Sequence, residues 1–348
     1  MTTPSPKVMM TGARPTGALH LGHYVGTQSN WVKHQDDYNL SILIADIHML
    51  TTKNSKDDIT SAADKARELV KDSIAAGVNP EKVTFYLQSA IPEIHEIYTL
   101  LQSLVTVPRL ERLPSLKEMA QGLTDTEMPF ALLGYPVLQT ADVLCLNADV
   151  VPVGKDNAAH IEITREIARR FNYKYGDTFK EPETLLTETP SLVGTDGQAK
   201  MSKSLGNAIN LADDTATVRK KVKGMFTDPQ RIRADIPGTV EGNPVFIYHD
   251  IFTPDKALVE DMKTRYRAGT ITDTEVKESL VTSLEAFLAP MRERRQQLEE
   301  KPGYVDKLIK EGTEKTRETV QANLKEMKKA MGISGIRNAI WRKAENAG

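Results

Sequence analysis

The chain has 348 residues, of which 40% are hydrophobic, 26% charged and 6% aromatic, a composition that suits two ordinary domains and excludes a disordered protein. A single cysteine, Cys145, excludes an internal disulfide and any site needing several thiolates, and reads as a small buried apolar residue. The formal net charge of −2 gives no global sign of nucleic-acid binding, although a basic face balanced by acid elsewhere stays compatible with it.

Read from its first residue, the chain shows no signal-peptide core and no apolar run of membrane-spanning length, so the expectation is a cytoplasmic protein without a membrane partner. Residues 7–11 form a short apolar run broken at Gly12, and residues 40–47 form a longer one; both read as buried parallel strands. Between them, a Pro15-Thr16-Gly17 turn leads into a predicted helix over 21–33. Ile59, Ala63, Ala66, Leu69, Val70 and Ile74 keep helical spacing over 57–76, and Gly77 supplies the stop. A third strand follows at 83–87, then a helix entered at Pro92 that runs through Ile94, Ile97, Leu101 and Leu104. Residues 150–153, ending in Gly154, read as another strand, and Asn157 or Ala158 opens a helix to Phe171.

Strands alternating with helices predict an α/β fold, a Rossmann-like parallel sheet with helices on both faces. Ligands of such sheets bind outside the carboxyl ends of the strands, where the His20 loop, Asp46, His48 and the Gly154-Lys155-Asp156 turn all fall. Beyond Lys200 the texture changes to Lys, Glu, Arg and Met, and Val305, Leu308, Ile309, Gly312, Val320, Leu324, Met327 and Met331 mark a long amphipathic helix. The expected division is a Rossmann-like nucleotide-binding domain over 1–210 and an all-helical domain over 211–348. Local basic clusters occur at Arg219 to Lys223, Arg231 with Arg233, Arg292 to Arg295, and Lys325 to Lys329; each also reads as a solvated helix face.

Two short motifs in fixed order carry the chemistry. His20-Leu21-Gly22-His23 places two imidazoles and a glycine at a helix N-terminus, where backbone N–H groups and the helix dipole favour anions. Lys200-Met201-Ser202-Lys203-Ser204 places two ammonium groups and two hydroxyls on a loop. As a pair they describe a grip on the triphosphate of ATP. Taken singly, the first also reads as a capping histidine or a two-histidine metal site lacking a third ligand, and the second as a solvated lysine loop.

In this order on an α/β pattern, the motifs resemble the signature of class I aminoacyl-tRNA synthetases. The segment Tyr135-Pro136-Val137-Leu138-Gln139-Thr140-Ala141-Asp142, with 149–156 and His160-Ile161-Glu162-Ile163-Thr164-Arg165-Glu166, resembles the tryptophanyl branch of that family. Further matches at 12–24, Ala45-Asp46-Ile47-His48 and Leu110-Glu111-Arg112 extend the likeness over nearly the whole chain. The resemblance implies a two-step reaction. The L-tryptophan carboxylate attacks the α-phosphate of ATP, releasing pyrophosphate, and the 3′-terminal hydroxyl of tRNA(Trp) then takes the aminoacyl group. It also implies Mg²⁺ arriving with ATP, no protein-ligated metal, a helical anticodon-binding domain and a homodimer.

Carried onto these positions, His20, His23, Lys200 and Lys203 are the expected catalytic residues. Gly22 would let adenine approach the helix backbone, and Gly194-Thr195-Asp196-Gly197 is plausible hinge material. Arg14, Pro15, Thr16, Lys117, Gly154, Lys155, Asp156, Leu192, Met201, Ser202 and Ser204 complete the implied ATP site, with Asp156 on the ribose hydroxyls. Asp142 would accept the indole N–H of tryptophan, and Tyr135, Gln139, His48 and Asn157 would line the same pocket. Arg14, the histidine pair, Gln139 and Lys155-Asp156-Asn157 depart from the commonest bacterial pattern. A polar Gln139 beside Asp142 also suits a phenol, which makes a tyrosyl-tRNA synthetase the first alternative. A small-molecule nucleotidylyltransferase and a non-catalytic tRNA- or amino-acid-binding regulator are the others; the helical region argues against the former and the intact His and Lys motifs against the latter.

Overall fold

The structure is a computed structural model that describes residues 6–119, 128–154, 157–186, 192–228, 230–231, 233 and 235–346. The strands are β1 (Val8–Ala13), β2 (Asn39–Ile44), β3 (Val83–Leu87), β4 (Val150–Val153) and β5 (Glu183–Leu186). They form one parallel sheet in the order β3-β2-β1-β4-β5. The order reverses between β1 and β4, so the crevice at the carboxyl ends of these two strands is where a ligand fits. Leu40, Ile42, Leu43 and Ile44 are all buried, as expected of a strand covered on both faces.

Around the sheet the first helices are α1 (Leu21–His23), α2 (Ser29–His34), α3 (Asp46–Met49), α4 (Lys56–Thr60), α5 (Ala62–Ala75), α6 (Pro92–Leu101), α7 (Val107–Glu111), α8 (Pro114–Met119), α9 (Phe130–Leu144) and α10 (Ala158–Tyr175). Beyond these come α11 (Thr215–Lys223), α12 (Pro244–Phe252), α13 (Lys256–Arg267), α14 (Asp273–Glu299), α15 (Tyr304–Ala330) and α16 (Ile333–Glu345). No described helix is long and apolar enough to cross a membrane.

The local rules place most elements, and the departures have visible causes. The apolar run over 40–47 is not one strand: β2 ends at Ile44 and the chain turns into α3, where the Ile47 and His48 N–H groups donate to Gln88 Oε1 at 3.2 and 3.3 Å. The helix expected over 57–76 is two helices, broken at Ser61, whose hydroxyl donates to the Asp57 carbonyl at 2.6 Å. Between α1 and α2 the helix widens into a π segment, Tyr24–Gln28, of the kind often found at functional sites. Helix α9 gave no amphipathic period because it is buried on nearly every side, with Leu132, Val137, Ala141 and Leu144 all inside.

Two cores sandwich the sheet. One holds Tyr86, Ile94, Leu138 and Ile161 with α6, α9 and α10; the other holds Leu40, Ile42 and Leu69 and continues without a break into Val218, Leu280 and Leu284 of α11 and α14. Helices beyond residue 211 therefore share buried surface with the sheet. Helix α15 lies along edge strand β3, where the Leu87 N–H donates to Thr313 Oγ1 at 3.0 Å, and so covers an otherwise open edge. The basic run on α14 is not a solvated face either. Arg292 donates to the Asp213 carbonyl at 2.9 Å, Arg294 to the Ala75 carbonyl at 2.7 Å, and Arg295 pairs with Asp72 and Glu68.

Candidate active site

Two adjoining cavities open at the carboxyl ends of the central strands. The first, of about 480 Å³, lies over β1, β2 and β4 and is lined by Gly12 to Arg14, His48, Ser115, Tyr135, Gln139, Asp142 and His160 among others. The second, of about 610 Å³, is lined by Thr16, His20, Gly22, His23, Lys53, Leu192 and the whole of 200–204. Gly26, Thr27, Gly154 and Asn157 line both, so the compartments meet where the π segment faces the end of β4.

Asp142 sits 1% exposed on α9. Its Oδ1 accepts from Gln88 Nε2 at 2.8 Å and its Oδ2 lies 2.8 Å from His48 Nε2. Gln88, wholly buried at the end of β3, is oriented in turn by the Ile47 and His48 N–H groups on its Oε1. A carboxylate has about four lone-pair directions, so two remain for a donor in the cavity. Across the same cavity Tyr135 Oη lies 2.9 Å from Ser115 Oγ and 3.0 Å from His160 Nε2, and Ser115 Oγ is 2.5 Å from that same nitrogen. Burial pushes the Tyr135 phenol up from its ordinary value, so it stays protonated at neutral pH. Trp31 Nε1 donates to Thr11 Oγ1 at 3.1 Å on the cavity wall.

The second cavity is a cationic shell in which no carboxylate lines the wall among the described residues. The His20 and His23 rings stack with centroids 3.7 Å apart. Burial, with Lys203 and Lys200 nearby, lowers His20 from 6.5 to about 4; burial, His20 and the two lysines lower His23 to about 3. Both are neutral at pH 7. The His20 backbone N–H donates to His23 Nδ1 at 3.2 Å, which leaves the ring proton of neutral His23 on Nε2, free to donate. His20 Nδ1 is buried without a hydrogen-bond partner among the described residues.

A Cβ at Gly22 would lie 3.0 Å from that His20 nitrogen, so the ring would have to give by a few tenths of an ångström, and 3.4 Å from Met201 Cβ, at ordinary contact. The Gly22 N–H also meets Met201 Sδ at 3.3 Å. Lys203 Nζ donates to the Thr16 and Ala18 carbonyls at 2.8 and 2.9 Å, and burial lowers its pKa. Backbone bonds from Leu21 N to Ile209 O and from Leu211 N to Leu19 O, both 2.9 Å, stitch the base of the lysine loop to the histidine segment. The Gly194 to Gly197 turn is braced by a Val193–Lys200 bridge and by the Thr195 N–H on the Asn207 carbonyl at 2.9 Å.

Residues named from sequence thus collect in one place, with exceptions. Arg14, Gln139, His48, Tyr135 and Asp142 line the first cavity, Thr16, Leu192 and 200–204 the second, and Gly154 and Asn157 both. Pro15 is buried and lines neither; Lys117 is exposed on α8 and lines neither, although Ser115 on the same helix does. Lys155 and Asp156 lie outside the described residues, as do residues 1–5. Sequence reasoning missed Gln88, Ser115, His160 and Lys53 as site residues. The end of β3 was the signal for Gln88, since carboxyl ends of parallel strands carry the ligand contacts; Lys53, beyond α3, had no such signal.

Comparison with known proteins places the chain in a family. The family described as tRNA synthetases class I (W and Y) matches residues 3–289. A protein named Tryptophan--tRNA ligase from Treponema pallidum is 52% identical over 326 residues, covering 94% of this chain and 97% of its own. Another of that name from Borreliella burgdorferi is 50% identical over 341 residues, covering 97% of each. The crystal structure of tryptophanyl-tRNA synthetase from Campylobacter jejuni, complexed with ADP and tryptophan, superposes with a TM-score of 0.80 at 31% identity, covering 93% of this chain and 99% of that one.

Proposed function

The chain belongs to the class I tRNA synthetases of the tryptophan and tyrosine group, and on that premise we propose how its residues divide the work of a tryptophan–tRNA ligase. The enzyme is an ATP-dependent ligase whose substrates are L-tryptophan and tRNA(Trp). No covalent intermediate on the protein is required. Catalysis is then positioning of the carboxylate against the α-phosphate and stabilisation of charge on the leaving pyrophosphate.

The first cavity holds tryptophan. Asp142, fixed by His48 and Gln88, accepts the indole N–H. Tyr135, with Ser115 and His160 behind it, and Gln139 complete the wall. A buried acceptor of this kind is left unpaired by an amino acid lacking the donor, which is how such sites reject analogues by about 10⁴ or more. The second cavity holds the triphosphate: His23 Nε2–H and His20 donate to phosphate oxygens, and Lys200, Lys203 and the newly found Lys53 neutralise them. The α-phosphate and the tryptophan carboxylate meet at Gly26, Thr27, Gly154 and Asn157, the stretch that both cavities share.

Among the described residues no group of three or more His, Cys, Asp and Glu is placed to hold a metal, and the ammonium and imidazole lining of the second cavity suits phosphate, not a cation. Mg²⁺ arriving with ATP would, when bound, neutralise charge on the departing pyrophosphate. The helices beyond 211 are the proposed anticodon reader. A homodimer belongs to the same reading and would cover exposed apolar residues such as Val107 at the start of α7, 50% exposed, and Phe130 at the start of α9, 68% exposed; sedimentation at the mass of one chain would contradict it.

The observation that carries the assignment is the Asp142 carboxylate, buried, doubly oriented and facing a cavity that adjoins the cationic one. Asp142→Ala is expected to weaken tryptophan binding by about a hundredfold while ATP binding stays within about threefold. Titration of each ligand checks it, and unchanged tryptophan affinity would refute the role.

A further inference from the structure

We propose that the buried pair Asp72–Arg295 is a positioning device that sets the phosphate-binding segment and ties it to the helices beyond residue 211. Asp72 lies on α5, 1% exposed, and lines neither cavity. Its Oδ2 accepts from the Leu19 backbone N–H at 2.8 Å, one residue before His20. Its Oδ1 is paired with Arg295 of α14, whose guanidinium also holds Glu68 and lies 3.3 Å from Glu299.

The segment that Asp72 grips is where both halves of the phosphate site converge. Thr16 and Ala18 carbonyls receive the Lys203 ammonium, Leu19 pairs with Leu211 at the base of the lysine loop, and His20 follows. Helix α14 reaches the same region at two more points. Arg292 donates to the Asp213 carbonyl at 2.9 Å, two residues beyond the Leu211 pairing, and Phe287 packs edge-on against Tyr24, next to His23, with centroids 4.9 Å apart. A carboxylate this deeply buried is costly unless paired, so the Asp72–Arg295 contact is a link between α14 and the histidine segment whose loss leaves a buried charge without its counter-ion. A shift of α14 then moves the Leu19 N–H anchor and with it His20 and the carbonyls that hold Lys203. Bundle position and phosphate geometry are thereby coupled through contiguous hydrogen bonds and ion pairs. Tryptophan's cavity has no member in this chain of contacts.

The inference rests on reading the second cavity as the ATP site, which ATP titration of the unaltered protein tests separately. In the full chain, Asp72→Asn keeps an acceptor for Leu19 but removes the charge facing Arg295. It is expected to weaken ATP binding by about tenfold and to leave tryptophan affinity within about twofold. Arg295→Met is expected to do the same, and Arg295→Lys to stay within about threefold of the unaltered protein, because an ammonium restores the charge. Thermal unfolding shows which variants are folded; should Asp72→Asn fail, the Arg295→Met and Arg295→Lys comparison stands alone. ATP affinity unmoved in folded variants overturns the proposal. Equal losses of ATP and tryptophan affinity also overturn it, by showing a brace for the whole fold. An unaltered protein that binds no ATP would remove the reading on which it rests.

Discussion

At the scale of single residues, His20 and His23 are held neutral by burial and by the neighbouring lysines, at about 4 and about 3 against an ordinary 6.5. The sign of the consequence follows from proton counting. Between pH 6.5 and about 4 the unfolded chain has protonated these imidazoles and the folded protein has not, so the unfolded state binds more protons and stability falls as pH falls. The loss amounts to about 2 kcal/mol for each imidazole between pH 6.5 and pH 5. Urea unfolding at pH 7 and pH 5 checks it: a His20→Gln, His23→Gln variant is expected to lose about 4 kcal/mol less over that interval than the unaltered protein, and an equal loss would contradict the burial argument. The histidines and lysines were legible as motifs because each sits in one short run of sequence. Ser115, His160 and Lys53 were not, since their places depend on chain crossings far from either motif, and Gln88 had only its position at the end of β3 to mark it. Asp142 and His48 were both named as pocket residues, but the contact between them and the second partner, Gln88 at the end of β3, came only from the fold.

At the scale of elements, β3 and β4 appeared where apolar run and turn signals placed them, and helix α10 started where expected but runs on to Tyr175. Elements went astray where tertiary packing replaced periodicity. The 40–47 run was over-read because Ile47 and Met49 are apolar for the sake of α3, not of a longer strand. Strand β5, four residues at the sheet edge with none buried, has too weak a pattern to register. The contact between α15 and β3 is the tightest of these packing features. A Cβ at Gly312 would lie 2.0 Å from the Phe85 carbonyl oxygen, a backbone atom that cannot step aside. Gly312→Ala should therefore destabilise the protein by about 3 kcal/mol despite its higher helix propensity. Denaturant midpoints measure this, and a neutral or stabilising effect would mean that α15 can lift from the strand without cost.

At the scale of the whole molecule, the parallel sheet was legible because strands and helices alternate in the first half, and the later helices because alternation stops. What the sequence concealed is that those helices do not stand apart: α14 and α15 share buried surface with the sheet and are riveted to α5 and β3 by Arg294, Arg295 and Thr313. The basic run 292–295 looked like a solvated face because Asp72 and Glu68, the carboxylates that tie Arg295 to α5, are more than two hundred residues away in sequence. The assembled molecule places a neutral-to-acidic pocket beside a cationic one at the switch point of the sheet, and that juxtaposition is the claim on which the rest depends. Amino-acid-dependent exchange of pyrophosphate into ATP, run with each amino acid in turn, tests it most directly. The account predicts exchange with tryptophan and none above background with tyrosine or phenylalanine; exchange with tyrosine alone, or with no amino acid, would contradict it.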